Sequence, residues 1–209
     1  MDERLRDDLR RAYALDASIR EARALATWRA REREAFLSDL LTNRLESLLE
    51  LGAGVGRDAQ FFADHGRTVT CIDLSEAMVA KCRAKGLTAH VMDVVALAFE
   101  DASFDAAYSV NCLLHLPDNE LSLALIEIQR VLRPGGLFYY GTWGGFEHAG
   151  VYEDDHLSPP RWFSFHDDAA LQRIVGEVFE IVRFRSDPRN PEDPRFRFQS
   201  LLLRKRAIR

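Results

Sequence analysis

The chain has 209 residues, 47% of them hydrophobic, with a net charge of −5 and three cysteines. That length fits one sizeable domain with a small appendage, and the acidic balance gives no global reason to expect a nucleic-acid partner. Cys71, Cys82 and Cys112 form no CxxC pair and have no His-rich partner segment, so neither a metal site nor a disulfide framework is expected. No early apolar segment and no run near the roughly 20 apolar residues of a membrane span is present, so a soluble, cytoplasmic monomer or homodimer with no membrane partner is the expectation. Charge is uneven, since residues 183–209 carry nine Lys plus Arg against three acids. Because Arg195-Phe196-Arg197-Phe198 alternates with period two, these arginines read as the solvent face of a terminal strand.

Residues 1–41 read as an amphipathic helical cap or lid, with Leu5, Leu9 and Tyr13 at four-residue spacing. Ser18-Ile19-Arg20-Glu21 has the form of a capping box that opens a second helix. Nine Arg balance nine acids over this segment, which argues against attraction to anionic lipid. Residues 42–209 form the main domain, in which strands and helices alternate. Expected strands are about 47–52, 68–72, 89–92, 104–110 and 137–140, with helices about 56–65, 75–85 and 119–132 between them. Phe61 and Phe62 should turn inward from the first of these helices, and Arg133-Pro134-Gly135-Gly136 should make a turn. Residues 143–165 show no period and read as a substrate-side insertion. Ser164-Phe165-His166-Asp167 could cap a helix to about 176. Two strands follow, about 178–185 and 196–204, parted by a loop at Pro188, Pro191 and Pro194. The alternation predicts an α/β fold with a doubly wound, mostly parallel sheet and a final hairpin at one edge.

The stretch Leu48-Leu49-Glu50-Leu51-Gly52-Ala53-Gly54-Val55-Gly56-Arg57-Asp58 is the strongest functional signal. A buried strand breaks into glycines at every second position and enters a helix, so the backbone can come close to a ligand at the strand's C-terminal end. Asp73 closes the second strand and Asp93 the third, which places both carboxylates with Glu50 at one rim. An acid after the second strand can accept ribose hydroxyls, one after the third can accept an exocyclic amine, and one beside the first suits an ammonium group. A dinucleotide fingerprint would need glycine where Arg57 stands, and no P-loop is present. The rim also lacks the Lys or Arg that a polyphosphate would need. A nucleoside with an amino-acid tail fits this pattern best.

These residues resemble the class I S-adenosylmethionine-dependent methyltransferases. Glu50 through Gly56 is similar to that family's first motif, and Val69 through Met78 to its second. Asp93-Val94, Phe104-Asp105, Asn111 through Pro117 and Leu132 through Gly136 follow in the family's order, over about residues 46–142. The resemblance implies a Rossmann-like seven-stranded sheet with an antiparallel last strand and S-adenosylmethionine as cofactor. It also implies that Glu50, Gly52, Ala53, Gly54, Gly56, Arg57 and Asn111 lie near the methionine part. Asp73 would hold the ribose, and Leu74, Met78, Asp93 and Val94 would lie about the adenine.

A small-molecule acceptor is expected. The Asn-Pro-Pro-Tyr segment of members that methylate DNA bases or glutamine amides is replaced here by Asn111-Cys112-Leu113-Leu114. In-line methyl transfer needs mainly alignment of acceptor and donor. For an acceptor that must lose a proton, His115, His148 and His156 are the candidate bases. Tyr13, Trp28, Tyr152, Arg161 and Trp162 are candidate acceptor contacts, four of them forming an aromatic wall. Two alternatives stand beside this reading. One is a non-catalytic homologue that binds the donor and acts as a partner or activator, and the other is an NAD(P)-dependent oxidoreductase.

Overall fold

A computed structural model describes residues 2–190 and 193–206. The leucine-rich stretch forms β1 (Ser47–Leu51), which pairs in parallel with β2 (Thr68–Asp73) on one side and β4 (Phe104–Val110) on the other. With β3 (Thr88–Val91), β5 (Leu132–Gly144), β8 (Glu180–Asn190) and β9 (Asp193–Arg204), the sheet has the order β3-β2-β1-β4-β5-β9-β8. The reversed strand is β9, which pairs antiparallel with both β5 and β8. The expected seven-stranded, mostly parallel sheet is therefore present. The chain winds outward from β1 through β2 to β3 and then returns to β4, so a crevice opens at the C-terminal ends of β1 and β4.

Alternation along the strands splits the core into two layers. Leu49, Leu51 and Phe138 face α5 (Asp118–Val131) and α6 (Asp168–Val178), packing with Leu125, Ile128, Leu171 and Val175. Leu48, Tyr108 and Tyr139 face the opposite layer, which contains α3 (Arg57–Asp64) and α4 (Glu76–Ala84). That layer also contains α2 (Thr27–Thr42), whose Phe36, Leu37 and Leu40 are buried in it. The Phe36 ring lies 5.6 Å from Tyr108, 5.5 Å from Tyr139 and 6.0 Å from Phe62. A division at residue 41 thus cuts through a continuous core. Phe62 is fully buried, but Phe61 is only half-buried, beneath the Arg33 guanidinium.

Four local expectations are corrected. First, α1 (Glu3–Ala22) runs straight through Ser18–Glu21, and the helix break falls at residues 23–26 instead. Its N-cap is Asp2, whose carboxylate accepts from the Arg4 amide. A capping box is a local signal, and here the surrounding helix formers win. Second, the Arg133–Gly136 segment is a bulge inside β5, with Gly135 at φ +77° and backbone bonds between Gly135, Gly136 and Lys205. Third, the 143–165 segment contains an antiparallel ribbon, β6 (His148–Val151) with β7 (Trp162–Phe165), too short to register as a period. Fourth, the last two strands are longer than expected. Pro188 lies on the edge strand β8 and Pro194 on the part of β9 beyond its pairing with β5, and Pro191 lies outside the described residues. The cap of α6 is Asp167, which accepts from the Ala170 amide at 2.7 Å. Among the described residues no helix is long and apolar enough to cross a membrane.

Because Phe36 fills the junction of three aromatic rings, Phe36→Ala should cost about 3–5 kcal/mol of stability by cavity formation. Urea unfolding followed by circular dichroism measures this. A loss under about 1 kcal/mol would mean that α2 is a detachable flap rather than a core helix.

Candidate functional site

The site begins where β1 ends. Gly52 and Gly54 adopt φ of +68° and +56°, a region that side chains disfavour. The amides of Gly52 and Ala53 both donate to the Ile72 carbonyl, which fastens the turn to β2. Asp73 adds the decisive tie. Its Oδ2 accepts from the Gly54 amide at 2.8 Å and its Oδ1 from the Ser75 amide at 2.9 Å, so one carboxylate holds the glycine turn against the start of α4. Burial pushes that carboxyl above its ordinary value, and the amide bonds oppose the shift. A Cβ on Gly52 would collide with the Cys112 side chain, whereas one on Gly54 would meet nothing within 4 Å. The backbone at Gly54 therefore presents a bare surface to the space in front of it.

That space is a cavity of about 580 Å³, bounded by the sheet rim, α1, the start of α2 and the β6–β7 ribbon. Its size is in the range of small-molecule sites. Gly52, Ala53, Gly54, Arg57, Asp73, Leu74, Asp93, Val94 and Asn111 lie on its wall. Glu50, Gly56 and Met78 do not. Glu50 is buried inside β1 with its carboxyl raised well above the usual range by burial and by nearby Asp58. Gly56 caps α3 against Cys82 and Leu87, and Met78 packs with Ala17 and Val55. Asn111 stands at φ +55° with its Oδ1 buried and without a partner among the described residues, an acceptor at the end of β4. Asp93 is engaged by α1, since the Arg6 Nε donates to it at 2.8 Å while another Arg6 nitrogen reaches Glu120.

The expectation of a rim without arginine does not hold. Segments distant in sequence bring Arg10, Arg20, Arg29, Arg57, Arg161 and Arg189 to the wall. Most are already engaged. Arg20 pairs with Asp16, Arg29 with Asp58 and Arg161 with Asp155. Arg57 donates to the carbonyls of Arg20 and Glu21 at 2.6 and 2.7 Å, closing the C-terminal end of α1.

On the other side of the cavity, His115 is buried in a short 3-10 turn after β4 (Leu113–His115). Its Nδ1 donates to the Trp162 carbonyl at 2.8 Å, so its Nε2 is left to accept from the Tyr13 hydroxyl at 2.7 Å. Burial drives the imidazole down to about 3, so it is neutral. Arg161 Nη1 donates to the Tyr13 oxygen at 3.0 Å, and burial keeps that phenol protonated. His156 is on the wall but solvent-exposed. His148 is off the wall, against Tyr152 and Phe165. Of the expected acceptor contacts, Tyr13, Trp28, Tyr152 and Arg161 line the cavity. Trp162 does not, and its indole N–H donates to Ser164. The wall also holds Trp143, Phe163, Phe165, Phe196 and Arg189, which sequence reasoning did not single out. The period-two run turned Phe196 away from the arginine face, but nothing local told that it would reach this cavity.

Residues 49–140 match the sequence model of the family described as "Methyltransferase domain". The chain is 30% identical over 168 residues to 24-methylenesterol C-methyltransferase 2 of Arabidopsis thaliana, covering 71% of this chain and 45% of that protein. It is 32% identical over 114 residues to the malonyl-[acyl-carrier protein] O-methyltransferase of Enterobacter lignolyticus, covering 54% of this chain and 45% of that protein. The chain thus spans under half the length of these two curated relatives. Among solved structures, the fold is shared with the Burkholderia thailandensis 1,6-didemethyltoxoflavin-N1-methyltransferase, determined with 1,6-didemethyltoxoflavin and S-adenosylhomocysteine bound. That match has a TM-score of 0.73 at 23% identity, and covers 95% of this chain and 88% of the other.

The neutral, buried His115 carries a pH signature. Its folded value lies below the unfolded value near 6.5, so its contribution to stability is present above pH 6.5 and is lost as pH falls from there toward 3. Between pH 7.5 and pH 5 that loss should reach about 2 kcal/mol. In His115→Gln the acid-side slope should be shallower by about this amount, as measured by urea unfolding at both pH values. Parallel slopes would show that His115 is not the group concerned.

Proposed function

We propose that this chain, which carries a class I S-adenosylmethionine-dependent methyltransferase domain, transfers the donor's methyl group to a small molecule held in the same cavity. The single observation that carries this reading is the bare Gly54 backbone held open by Asp73 at the switch point of the sheet. The residues fit the cofactor. Gly52 to Gly54 leave room for a ligand, Asp73 lies beside them, and the unpartnered Asn111 oxygen waits at the next strand. Asp73 would hold the ribose, Leu74, Asp93 and Val94 would surround the adenine, and Gly52, Ala53, Gly54, Arg57 and Asn111 would face the amino-acid end. S-adenosylmethionine supplies a methyl group already activated on a sulfonium.

The protein's own work is then alignment and exclusion of water. α1 crosses the cavity and is anchored along its length. Arg6 reaches Asp93, Tyr13 reaches His115, and Glu21 reaches Lys81 at 2.6 Å and Lys85 at 2.5 Å. In this reading α1 is the lid and the β6–β7 ribbon is the acceptor-side wall. The Tyr13–His115 pair positions groups and does not abstract a proton, because the imidazole is neutral with both nitrogens engaged and the phenol stays protonated. For an acceptor that must lose a proton, the exposed His156 on the wall is then the histidine left to serve as base.

Titration calorimetry tests the donor site. S-adenosylhomocysteine should bind with a stoichiometry near one and NAD should not bind. Asp73→Ala should weaken S-adenosylhomocysteine by about tenfold or more, the scale of a lost charge-assisted hydrogen bond. Binding of NAD in preference, or an unchanged affinity in Asp73→Ala, would overturn the assignment.

A further inference from the structure

The acceptor half of the cavity is built from rings. Trp143 and Phe196 are stacked, with centroids 5.3 Å apart and planes 14° from parallel, and Tyr152 lies 12° from parallel to Phe196 at 6.3 Å. Trp28 meets Trp143 edge-on at 5.3 Å. These four side chains come from α2, β5, the segment after β6, and β9, and all four line the cavity. Near-parallel aromatic faces suit a flat ligand. A cage of rings can equally suit an ammonium group, so the charge around the rings must decide.

One guanidinium, that of Arg189, already lies over two of those rings, and a second, that of Arg161, lies over the neighbouring Tyr13 and Phe163. Arg161 lies 5.1 Å from the Tyr13 centroid and 5.0 Å from that of Phe163, and Arg189 lies 5.2 Å from Phe196 and 5.7 Å from Trp143. A ring that already faces a protein cation offers less to a second cation and sets the two cations against each other. The two arginines differ in their partners. Arg161 is buried and paired with Asp155 at 2.6 Å, so its charge is matched. Arg189 makes no ion pair among the described residues. Asp154 is also on the wall and, like Arg189, is solvent-exposed, so what distinguishes Arg189 is its place over the Trp143 and Phe196 rings.

Resting on the methyltransferase reading above, we infer that the acceptor is a flat aromatic molecule carrying a negative group, with its ring beside Trp143, Phe196 and Tyr152 and its anionic group meeting Arg189. Arg189 is then a specificity-determining residue. Its planar fork suits a carboxylate or similar anion better than a lysine ammonium would.

The test uses the full chain saturated with S-adenosylhomocysteine and three probes of one shape: 2-naphthoate, neutral 2-naphthamide and cationic 2-naphthylmethylammonium. Calorimetry should show naphthoate binding at least about tenfold tighter than naphthamide, as for one charge-assisted contact, and the ammonium weakest. In Arg189→Gln the naphthoate preference should vanish while naphthamide is unchanged. In Phe196→Leu all three probes should weaken together and the preference should remain. Equal affinities, tighter binding of the ammonium, no naphthoate binding, or a preference that survives Arg189→Gln would each overturn the inference while leaving the donor site intact. Failure of S-adenosylhomocysteine to bind would instead overturn the donor assignment, and this inference with it.

Discussion

The hydrogen bonds from the Gly54 and Ser75 amides to the two oxygens of Asp73 are the constraint from which the site follows. They join the turn after β1 to the turn after β2, so the two loops that flank the crevice move as one piece. The cost is a carboxylate drawn into partial burial, which its amide partners offset. Gly52 makes the same junction tight on its other side, because Cys112 occupies the space where its Cβ would stand. The turn is thus clamped between β2 and the segment after β4, and its one open face is the cavity at Gly54. A preorganised backbone of this kind loses little entropy when a ligand arrives.

A second layer of organisation comes from the N-terminal helices, whose roles differ. α2 is part of the sheet's packing, since Phe36 is enclosed by Phe62, Tyr108 and Tyr139. α1 buries only the small apolar set Leu9, Ala12 and Ala17 and adds polar contacts at separate points, Arg6 to Asp93 and Glu120, Tyr13 to His115, and Glu21 to two lysines. The apolar area that α1 buries is smaller than that of α2, whose Phe36, Leu37 and Leu40 are all in the core. An element that buries little apolar surface can open without unfolding the domain, here at the cost of releasing the Tyr13–His115 contact. This is the physical basis for reading α1, and not α2, as the lid.

Much of this was legible in the sequence because the relevant signals are local. Leu48 to Leu51 alternates faces within five residues, and glycines at 52, 54 and 56 force a turn whatever surrounds them. Acids that close β2 and β3 reach the rim by topology alone. What could not be read were relations between distant segments. Nothing near Glu50 announces that its carboxyl faces Asp58 and the protein interior rather than the cavity. Nothing near Arg29, Arg57 or Arg161 tells whether a neighbouring segment supplies a partner, so the wall's cations were invisible. The ribbon at 148–151 and 162–165 was missed for a related reason, since four-residue strands carry too few alternations to stand out.

The same long-range relations decide the chemistry open to the acceptor. A histidine after β4 suggests a base when read alone, but the Trp162 carbonyl fixes its Nδ1 as the donor and burial holds it neutral. Its remaining nitrogen is turned to Tyr13, and the Tyr13 oxygen in turn receives Arg161. Every member of this chain therefore has its proton placed before any ligand enters, and the chain terminates at Asp155, which is also paired. Such a network is stiff and resists protonation near neutrality, properties that suit a wall that orients a reactant. A general base needs the opposite, a group whose proton affinity lies near the working pH and whose lone pair faces the substrate. In the proposed reading, the Tyr13–His115 pair is therefore a positioning element, not the base. Arg189, by contrast, makes no ion pair among the described residues, which is why the proposed acceptor contact is placed there and not at His115.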